Sequence, residues 1–563
     1  MRRSIIHPLT ALVVLAVLAV ARASGIVGAQ ASRTAPTFFD DDPLSMIVDT
    51  QDASKAQSRE LSLVYDASIN LIGRPGLRVV GRAESINTID EVPDSAWFTN
   101  RKALVPDEIR RGVTDDAGPA PGQWTVSRKS NGVSPGFTIT DQRGRRYFVK
   151  FDPPGLPELA TGAEAVVTRL FHALGYYVPQ VNIGTLRPEN LVIGPDATVR
   201  MPDGSRRRMR HTDIEEQLSR ADRQVDGTYR VSLAAALEGR PLEGFKYEGT
   251  RSDDPNDIVP HENRRELRGL RVFSAWLNHT DAKAINSMDT LLPVDGRSIV
   301  RHNLIDFNAA LGSAGIGLRE RRDGYEYLAE VGAAGKALPA FGFKPRGWMR
   351  IEYPNFRGIG RFESKAFEPE QWRPRVPNPA YVRSRADDTF WAARKLMGLP
   401  DAVIRAAVQA GQYTDPGAER FLGDALIERR DKIGRVWLTG VNPVIDPALS
   451  AAGALTFRNA AVDYEVATGP GSYLVKWYRF DNGTGDSEEI GTTTGQPPFR
   501  APADLRGSFV RVDISAVDGG NPSWNRPVRA HLRRIGGGWQ LVGFDRMPDA
   551  PPMRAGLVGA ELK

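Results

Sequence analysis

The sequence predicts an α+β chain: a small β-rich lobe with one helix, a larger helical lobe, and a C-terminal all-β domain. Three observations carry this. From Trp124 to Phe151, apolar and polar residues alternate between turn-rich breaks, the period of half-buried strands. From about residue 260 to 430, apolar residues recur with helical spacing, and after Ile433 the period returns to two. At roughly 150 residues per domain, 563 residues imply about three to four domains. The apolar content of 41% and charged content of 25% are those of ordinary globular protein, which excludes widespread disorder.

The chain opens with Met1-Arg2-Arg3, then an apolar run from Leu9 to Ala21, then small residues at Ala21-Arg22-Ala23 and Ala29-Gln30-Ala31. That is the pattern of a cleaved secretory signal over residues 1–31. The run is too short to cross a bilayer comfortably, and a retained anchor is the competing reading. The expected location is extracytoplasmic, periplasmic or secreted, with no membrane span after cleavage. The sequence has no cysteine, which excludes disulfides, thiolate metal sites, a thiolate nucleophile and a lipidated cysteine. The net charge of +6 falls to +3 when Arg2, Arg3 and Arg22 leave with the signal. So balanced a chain gives no argument for a nucleic-acid partner.

Residues 32–120 form an N-terminal extension whose Leu61, Leu63, Val64, Trp97 and Phe98 need burial against the next domain. The first lobe spans 121–250. Strands are expected at Trp124–Ser127, Phe137–Thr140 and Tyr147–Phe151, with a loop Ser130–Gly136 and a turn at Gln142-Arg143-Gly144. A helix follows Pro157, with Ala163, Val166, Val167, Leu170, Phe171 and Leu174 on its apolar stripe and its end at Gly175. Further strands are expected from Val178 to Thr185 and from Leu191 to Val199. Residues 201–228 look inserted, with a turn at Asp203-Gly204 and a basic run Arg206 to Arg210 that reads as a solvated face.

The second lobe spans 251–434. It opens on Asp253-Asp254-Pro255-Asn256-Asp257, which could line a cleft but reads better as a solvated loop. Helices are expected at His261–Asn278, Asp387–Met397, Pro400–Ala410 and Pro416–Arg430. The all-β domain, 435–550, has expected strands at Val436-Trp437-Leu438, Leu455–Val466, Tyr473–Phe480 and Phe509–Val517. A hairpin from Val528 to Phe544 turns at Gly536-Gly537-Gly538, and 551–563 are a tail.

The chemistry lies in the second lobe. The first helix there ends in His279-Thr280-Asp281-Ala282-Lys283-Ala284-Ile285-Asn286, and a strand-like Asn303-Leu304-Ile305 runs into Asp306-Phe307-Asn308. His279-Thr280-Asp281 followed by Asn286 resembles the H-R-D-x-x-x-x-N catalytic loop of the protein-kinase-like superfamily, and Asp306-Phe307-Asn308 resembles its D-F-G metal motif. Ile305 to Gly312 is also similar to the metal motif of lipid kinases. The wider setting, about 121 to 434, resembles the divergent bacterial HipA and CotH kinases.

The resemblance implies a two-lobed protein-kinase-like core and a role for each residue. Asp281 would orient the attacking hydroxyl, and Lys283 would neutralise the transferred phosphoryl group. Asn286 and Asp306 would give oxygen ligands to Mg²⁺. Lys150, at a strand end after Tyr147-Phe148-Val149, would bind the α- and β-phosphates of ATP. Glu164 on the next helix is its candidate partner, or else closes a capping box with Thr161, leaving Glu158 as the fallback. Gly132 and Gly136 fall where a kinase covers phosphates with backbone N–H groups. Thr280 stands in place of the arginine that reads an activation-loop phosphate, Asn308 replaces a glycine, and no A-P-E follows.

The function implied is an exported kinase-like phosphotransferase that uses Mg²⁺ and ATP to modify a protein or small-molecule hydroxyl. One alternative is a catalytically silent kinase fold that binds a nucleotide or partner as a scaffold. Another is an envelope binding protein acting through its β-domain. The absence of H-E-x-x-H, G-x-S-x-G and G-x-x-x-x-G-K-[ST] leaves zinc hydrolases, α/β-hydrolases and P-loop enzymes without support.

Overall fold

A computed structural model of the chain describes residue 38 and residues 49–59, 79–102, 104–129, 133–201, 204–328, 347–517, 520–548 and 553–554. The expected signal, Leu61, Leu63, Val64, the loop residues Asn131 and Gly132, Asp203 and most of the tail lie outside them. Among the described residues, no helix is long and apolar enough to cross a membrane.

The first lobe is built on β1 (Trp124–Lys129), β2 (Gly136–Thr140), β3 (Arg146–Phe151), β4 (Val181–Leu186), β5 (Leu191–Arg200), β6 (Arg206–Arg208) and β7 (Tyr229–Ala235). They form one sheet in the order β4-β7-β3-β2-β1-β5-β6, antiparallel except between β1 and β5. Alternation along β3 buries Tyr147, Val149 and Phe151 on one face and turns Phe148 and Lys150 to the other.

The residues expected to be an insertion complete this lobe. Strand β6 extends the sheet, and the helix α2 (His211–Ser219) lays Ile214 and Leu218 onto the face that holds Val149 and Phe151. In the basic run, Arg207 is clamped by both oxygens of Asp213, while Arg206 and Arg208 face solvent. The other face is covered by α1 (Leu159–Ala173), whose Val166, Val167, Leu170 and Phe171 are fully buried.

The helical lobe centres on α3 (Arg265–Leu277), every residue of which is buried. The expected helix from His261 begins instead as a 3₁₀ turn, His261–Asn263. Against α3 pack α4 (Ala386–Met397) and α6 (Pro416–Trp437), while α5 (Asp401–Gln409) packs on α6 and α1. Helix α6 runs through the expected strand Val436-Trp437-Leu438, because Ile433 and Trp437, one turn apart, both enter the core.

The β region has a five-stranded antiparallel sheet. It is built from β12 (Ser472–Phe480), β13 (Ser487–Gly495), β14 (Phe509–Val517), β15 (Val528–Ile535) and β16 (Gly538–Asp545), in the order β13-β12-β14-β15-β16. A smaller sheet pairs β10 (Val444–Leu449) with β11 (Ala454–Asn459). The expected strand Leu455–Val466 stops early, because the Asn459 side chain accepts from the backbone N–H groups of Ala461 and Val462 and starts a helical turn. These sheets share one continuous core with the helical lobe. Arg546 joins them, lying 3.9 Å from the Phe390 ring and donating to the Asn442 and Val444 carbonyls.

The described part of the N-terminal extension threads through this body. Trp97 stacks on His302 at 3.5 Å between ring centroids, and Phe98 packs on Tyr176 and Trp391. The stretch Asp253 to Asp257 is neither cleft lining nor a solvated loop. It pins the extension: Asn256 exchanges hydrogen bonds with the Gln51 backbone, Asp253 accepts from Gln57, and Asp257 is buried against His261 and Arg264.

Candidate functional site

The spacing of the second-lobe motif comes from a hairpin. Strands β8 (Ser287–Val294) and β9 (Arg297–Leu304) pair antiparallel from Ser287↔Leu304 to Val294↔Arg297. They turn at Asp295-Gly296, both at positive φ (48° and 79°), as a two-residue hairpin turn requires. The pairing therefore returns the chain to its start, and the Ile305 N–H donates to the Asn286 carbonyl at 3.0 Å. Asn286 and Asp306 thus flank the open end of one hairpin. The Leu304 N–H also donates to the Tyr177 carbonyl at 2.9 Å, which ties this end to the chain leaving α1.

Lys150 approaches from β3, opposite Gly136 in the register of β2. Its Nζ donates to Glu164 Oε2 at 3.0 Å and to Asp306 Oδ1 at 2.7 Å. The placement of Glu164 follows from the same strand. Two residues after Lys150, the buried Asp152 accepts from the backbone N–H groups of Glu158, Ala160 and Thr161 and from the Thr161 hydroxyl. Asp152 therefore caps α1, and Glu164 is left to face the lysine, which settles the capping-box alternative. Glu158 is not the partner: it takes a left-handed φ of 71° and accepts from the Thr414 N–H.

Burial opposes the Lys150 charge, but Asp306 and Glu164 outweigh it and hold its pKa above the usual lysine value. Burial raises Glu164, with Lys150 pulling the other way. Asp306 is in the left-handed region at φ 64°, a conformation that Asp tolerates better than most residues. Its carboxylate is about 40% exposed toward the cleft.

Asp281 lies beyond the end of α3, after Asn278 breaks the helix at φ 48°. Lys283 forms an ion pair with its carboxylate, and Asn286 Nδ2 donates to the Asp281 carbonyl at 2.7 Å and to its Oδ2 at 3.2 Å. Burial would raise Asp281, yet Lys283 and Arg319 dominate and bring it down to about 2. The loop is anchored through its aromatic neighbours. Phe307 stacks on Phe171 of α1 at 4.9 Å and meets the buried His279 edge-on at 5.5 Å. Burial lowers His279 to about 4, so it stays neutral near pH 7.

Lys150, Glu164 and Asp306 are therefore in direct contact, as are Asp281, Lys283 and Asn286; the Ile305 N–H, donating to the Asn286 carbonyl, joins the two groups, and Gly136 lies opposite Lys150 in the strand register. The donor set fits a small hard cation. The Asn286 side-chain oxygen has no hydrogen-bond partner among the described residues, and Asp306 offers a half-exposed carboxylate. Two protein oxygens suit Mg²⁺, which takes its remaining ligands from water and phosphate. No group of three or more His, Cys, Asp or Glu residues able to hold a metal occurs among the described residues.

Three features escaped the sequence. Arg319, buried beyond the metal motif, acts on Asp281 and donates to the Ala309 carbonyl. Phe148, exposed beside Lys150 on the cleft face, is the flat apolar surface nearest the lysine along the strand. Asn308, which stands in place of the glycine, donates its Nδ2–H to Ser134 Oγ at 3.2 Å, on the loop between β1 and β2. Arg220 holds the same loop from outside, through the Val133 carbonyl. The roles of Arg319, Asn308 and Arg220 have no local sequence mark, because each depends on a contact between distant segments.

No protein-family description matches the chain, and no curated protein matches it in sequence. Among solved structures the chain is similar to the Helicobacter pylori proinflammatory kinase CtkA, at 11% identity and a TM-score of 0.31, over 56% of this chain and 94% of that one. It is similar to the Golgi casein kinase at 10% identity and a TM-score of 0.30, over 70% of this chain and 94% of that one. The Golgi casein kinase with Mn/ADP bound gives 10% identity and a TM-score of 0.29, over 69% and 93%. Likeness this shallow leaves the function to the residues themselves.

Proposed function

We propose that the chain is a kinase-fold phosphotransferase that moves the γ-phosphoryl group of ATP, with Mg²⁺, to a hydroxyl of a protein or small molecule outside the cytoplasm. The observation that carries this is the position of Lys150, a strand lysine held between a helix carboxylate, Glu164, and a carboxylate able to bind metal, Asp306. Bound Mg²⁺ supplies charge neutralisation at the phosphates. Lys150 holds the α- and β-phosphates, and Asn286 and Asp306 orient the cation. Asp281 positions the acceptor hydroxyl, whose oxygen bonds to the γ-phosphorus as the bond to the bridging oxygen breaks and the hydroxyl proton leaves toward the carboxylate. The altered loop, with Thr280 and Asn308, favours an atypical type such as HipA or CotH kinases over a regulated protein kinase. The charged start, the opening apolar run and the A-x-A sites support an extracytoplasmic location.

One observation favours a second reading, nucleotide binding without transfer: Lys283 sits on the Asp281 carboxylate, where an acceptor hydroxyl would approach. A label-transfer assay with γ- and α-labelled ATP, beside thermal unfolding with and without Mg-ATP, separates the two. Stabilisation with γ-label transfer supports the kinase, and stabilisation without transfer supports the binder. No stabilisation at millimolar nucleotide defeats both.

A further inference from the structure

Beside Asn278, at the end of α3, the helical lobe holds a cavity of 260 Å³. Its walls include Tyr325, Trp348, Tyr353, Phe367 and Trp372, and Glu363 lines it among them. The cavity adjoins the phosphotransfer residues. Trp372 Nε1 donates to Asn278 Oδ1 at 3.0 Å, and the segment after Trp372 donates to the Thr280 and Ala282 carbonyls. Asn278 precedes Asp281 by three residues, a span of at most about 11 Å.

Most polar groups around this cavity are already spent. Trp348 Nε1 donates to Glu326, and Tyr325 and Tyr353 share a hydrogen bond. Arg429 donates to the carbonyls of Trp276, Glu363 and Ala275, and Arg361 to that of Arg319. Glu368 accepts from Gln371. Glu363 is the exception. Its Oε2 accepts from the Ala366 N–H at 2.7 Å, but its Oε1 is buried with no hydrogen-bond partner among the described residues, in a residue only 7% exposed.

An unpartnered buried carboxylate oxygen calls for a donor. The aromatic walls favour a positively charged one, since ring faces attract cations. They already take one guanidinium: Arg429 lies 3.5 Å from the centre of the Phe367 ring. An anion would instead meet two carboxylates, with the Arg429 donors turned to backbone carbonyls.

We propose that this cavity is the acceptor subsite and that it holds an organic cation, an ammonium or guanidinium, carried by the molecule whose hydroxyl is phosphorylated. The acceptor role rests on the kinase reading above; the binding of a cation does not. The cation could be a basic side chain of a peptide or the amine of a small amino alcohol.

The test uses the full chain and its tryptophan fluorescence, since Trp348 and Trp372 line the cavity. The probes are n-butylammonium, butylguanidinium, neutral n-butanol, and serine peptides carrying lysine, arginine or norleucine. The cations and basic peptides are expected to bind, with n-butanol and the norleucine peptide at least tenfold weaker. Glu363→Gln is expected to weaken cation binding at least tenfold, and Trp348→Ala gives an independent variant at the cavity wall. Basic peptides that bind over tenfold tighter than the free cations identify a peptide acceptor; equal binding identifies a small amine. Butanol that binds as well as butylammonium, or Glu363→Gln that binds the cation like wild type, overturns the proposal. Failure of Mg-ATP to stabilise the chain, measured separately, defeats the kinase reading and leaves cation binding to stand or fall alone.

Discussion

Lys150, at the end of β3, and Asp306, just past β9, join the two lobes through a 2.7 Å ion pair. The lysine also neutralises Glu164, which is almost fully buried. Lys150→Met should therefore destabilise the fold as well as abolish Mg-ATP binding, by about 3 kcal/mol, the usual cost of stranding a buried charge. The loss should depend on pH. Burial already raises Glu164, and without Lys150 its folded pKa rises further above the unfolded value. The glutamate then costs stability as pH rises through that interval and little below it. Urea unfolding of wild type and variant should show a gap that is larger at pH 7.5 than at pH 4.5.

Asp281 and Asp306 should fail differently. Asp281→Asn is expected to leave nucleotide binding nearly intact and to reduce transfer by about a hundredfold or more. Asp306→Asn should weaken Mg²⁺-dependent binding and transfer together. Direct titration beside label transfer, after circular dichroism confirms folding, checks both. Equal transfer by wild type and Asp281→Asn would remove Asp281 from its role.

The low pKa of Asp281, about 2, has its own consequence. Its folded value lies below the unfolded one, near 3.9. Its ion pair therefore contributes stability above about pH 4, and that contribution fades as pH falls toward 2. Asp281→Asn should unfold at a less pH-dependent midpoint over that window, measured by acid titration of the far-UV signal. The rate of transfer should show no acid limb from this group between pH 5 and 8.

Gly315 tests the loop that crosses from the first lobe. A methyl group there would lie 2.8 Å from Ser134 Oγ and 3.0 Å from Asn308 Nδ2, at a φ of 76° that alanine resists. Gly315→Ala should free the β1–β2 loop and raise the dissociation rate of nucleotide several-fold, read by stopped-flow release of a fluorescent ATP analogue. An unchanged rate would show that the loop does not retain nucleotide.

A chain ending at Ile433 or Gly434 should not fold as a free kinase core. Those residues lie inside α6, and the core of the helical lobe continues through Leu438, Val444 and Trp477 into the β sheets. Arg265, fully buried among Asp90, Asp387 and Asp388, further binds the N-terminal extension to α4. Soluble expression with a cooperative unfolding transition would refute this.

The residues of the cleft were legible because each sits at a local boundary that chemistry marks: a strand end, a helix end, an Asp-x-Lys-x-x-Asn loop. Helices α1 and α4 to α6 were visible in their apolar stripes, and β12 and β14 in strict alternation. Strand β13 was invisible because Ser487 to Gly495 buries no face, being an edge strand rich in Thr and Glu. The end of α6 was misread because a short run such as Val436 to Leu438 satisfies both periods at once. Glu164 could not be assigned from the sequence, since its rival role depended on Asp152, a cap supplied from outside the helix, just past the end of β3. The aromatic cavity was beyond reach for the same reason: its walls come from residues 278 to 429, and nothing local joins them.

The hairpin of β8 and β9 works as a folded ruler. Because Asn286 and Asp306 meet at its base, the length of chain between them is free to vary at the Asp295-Gly296 tip, provided the two arms keep their pairing. A loop or reporter inserted at that tip is therefore carried away from the cleft.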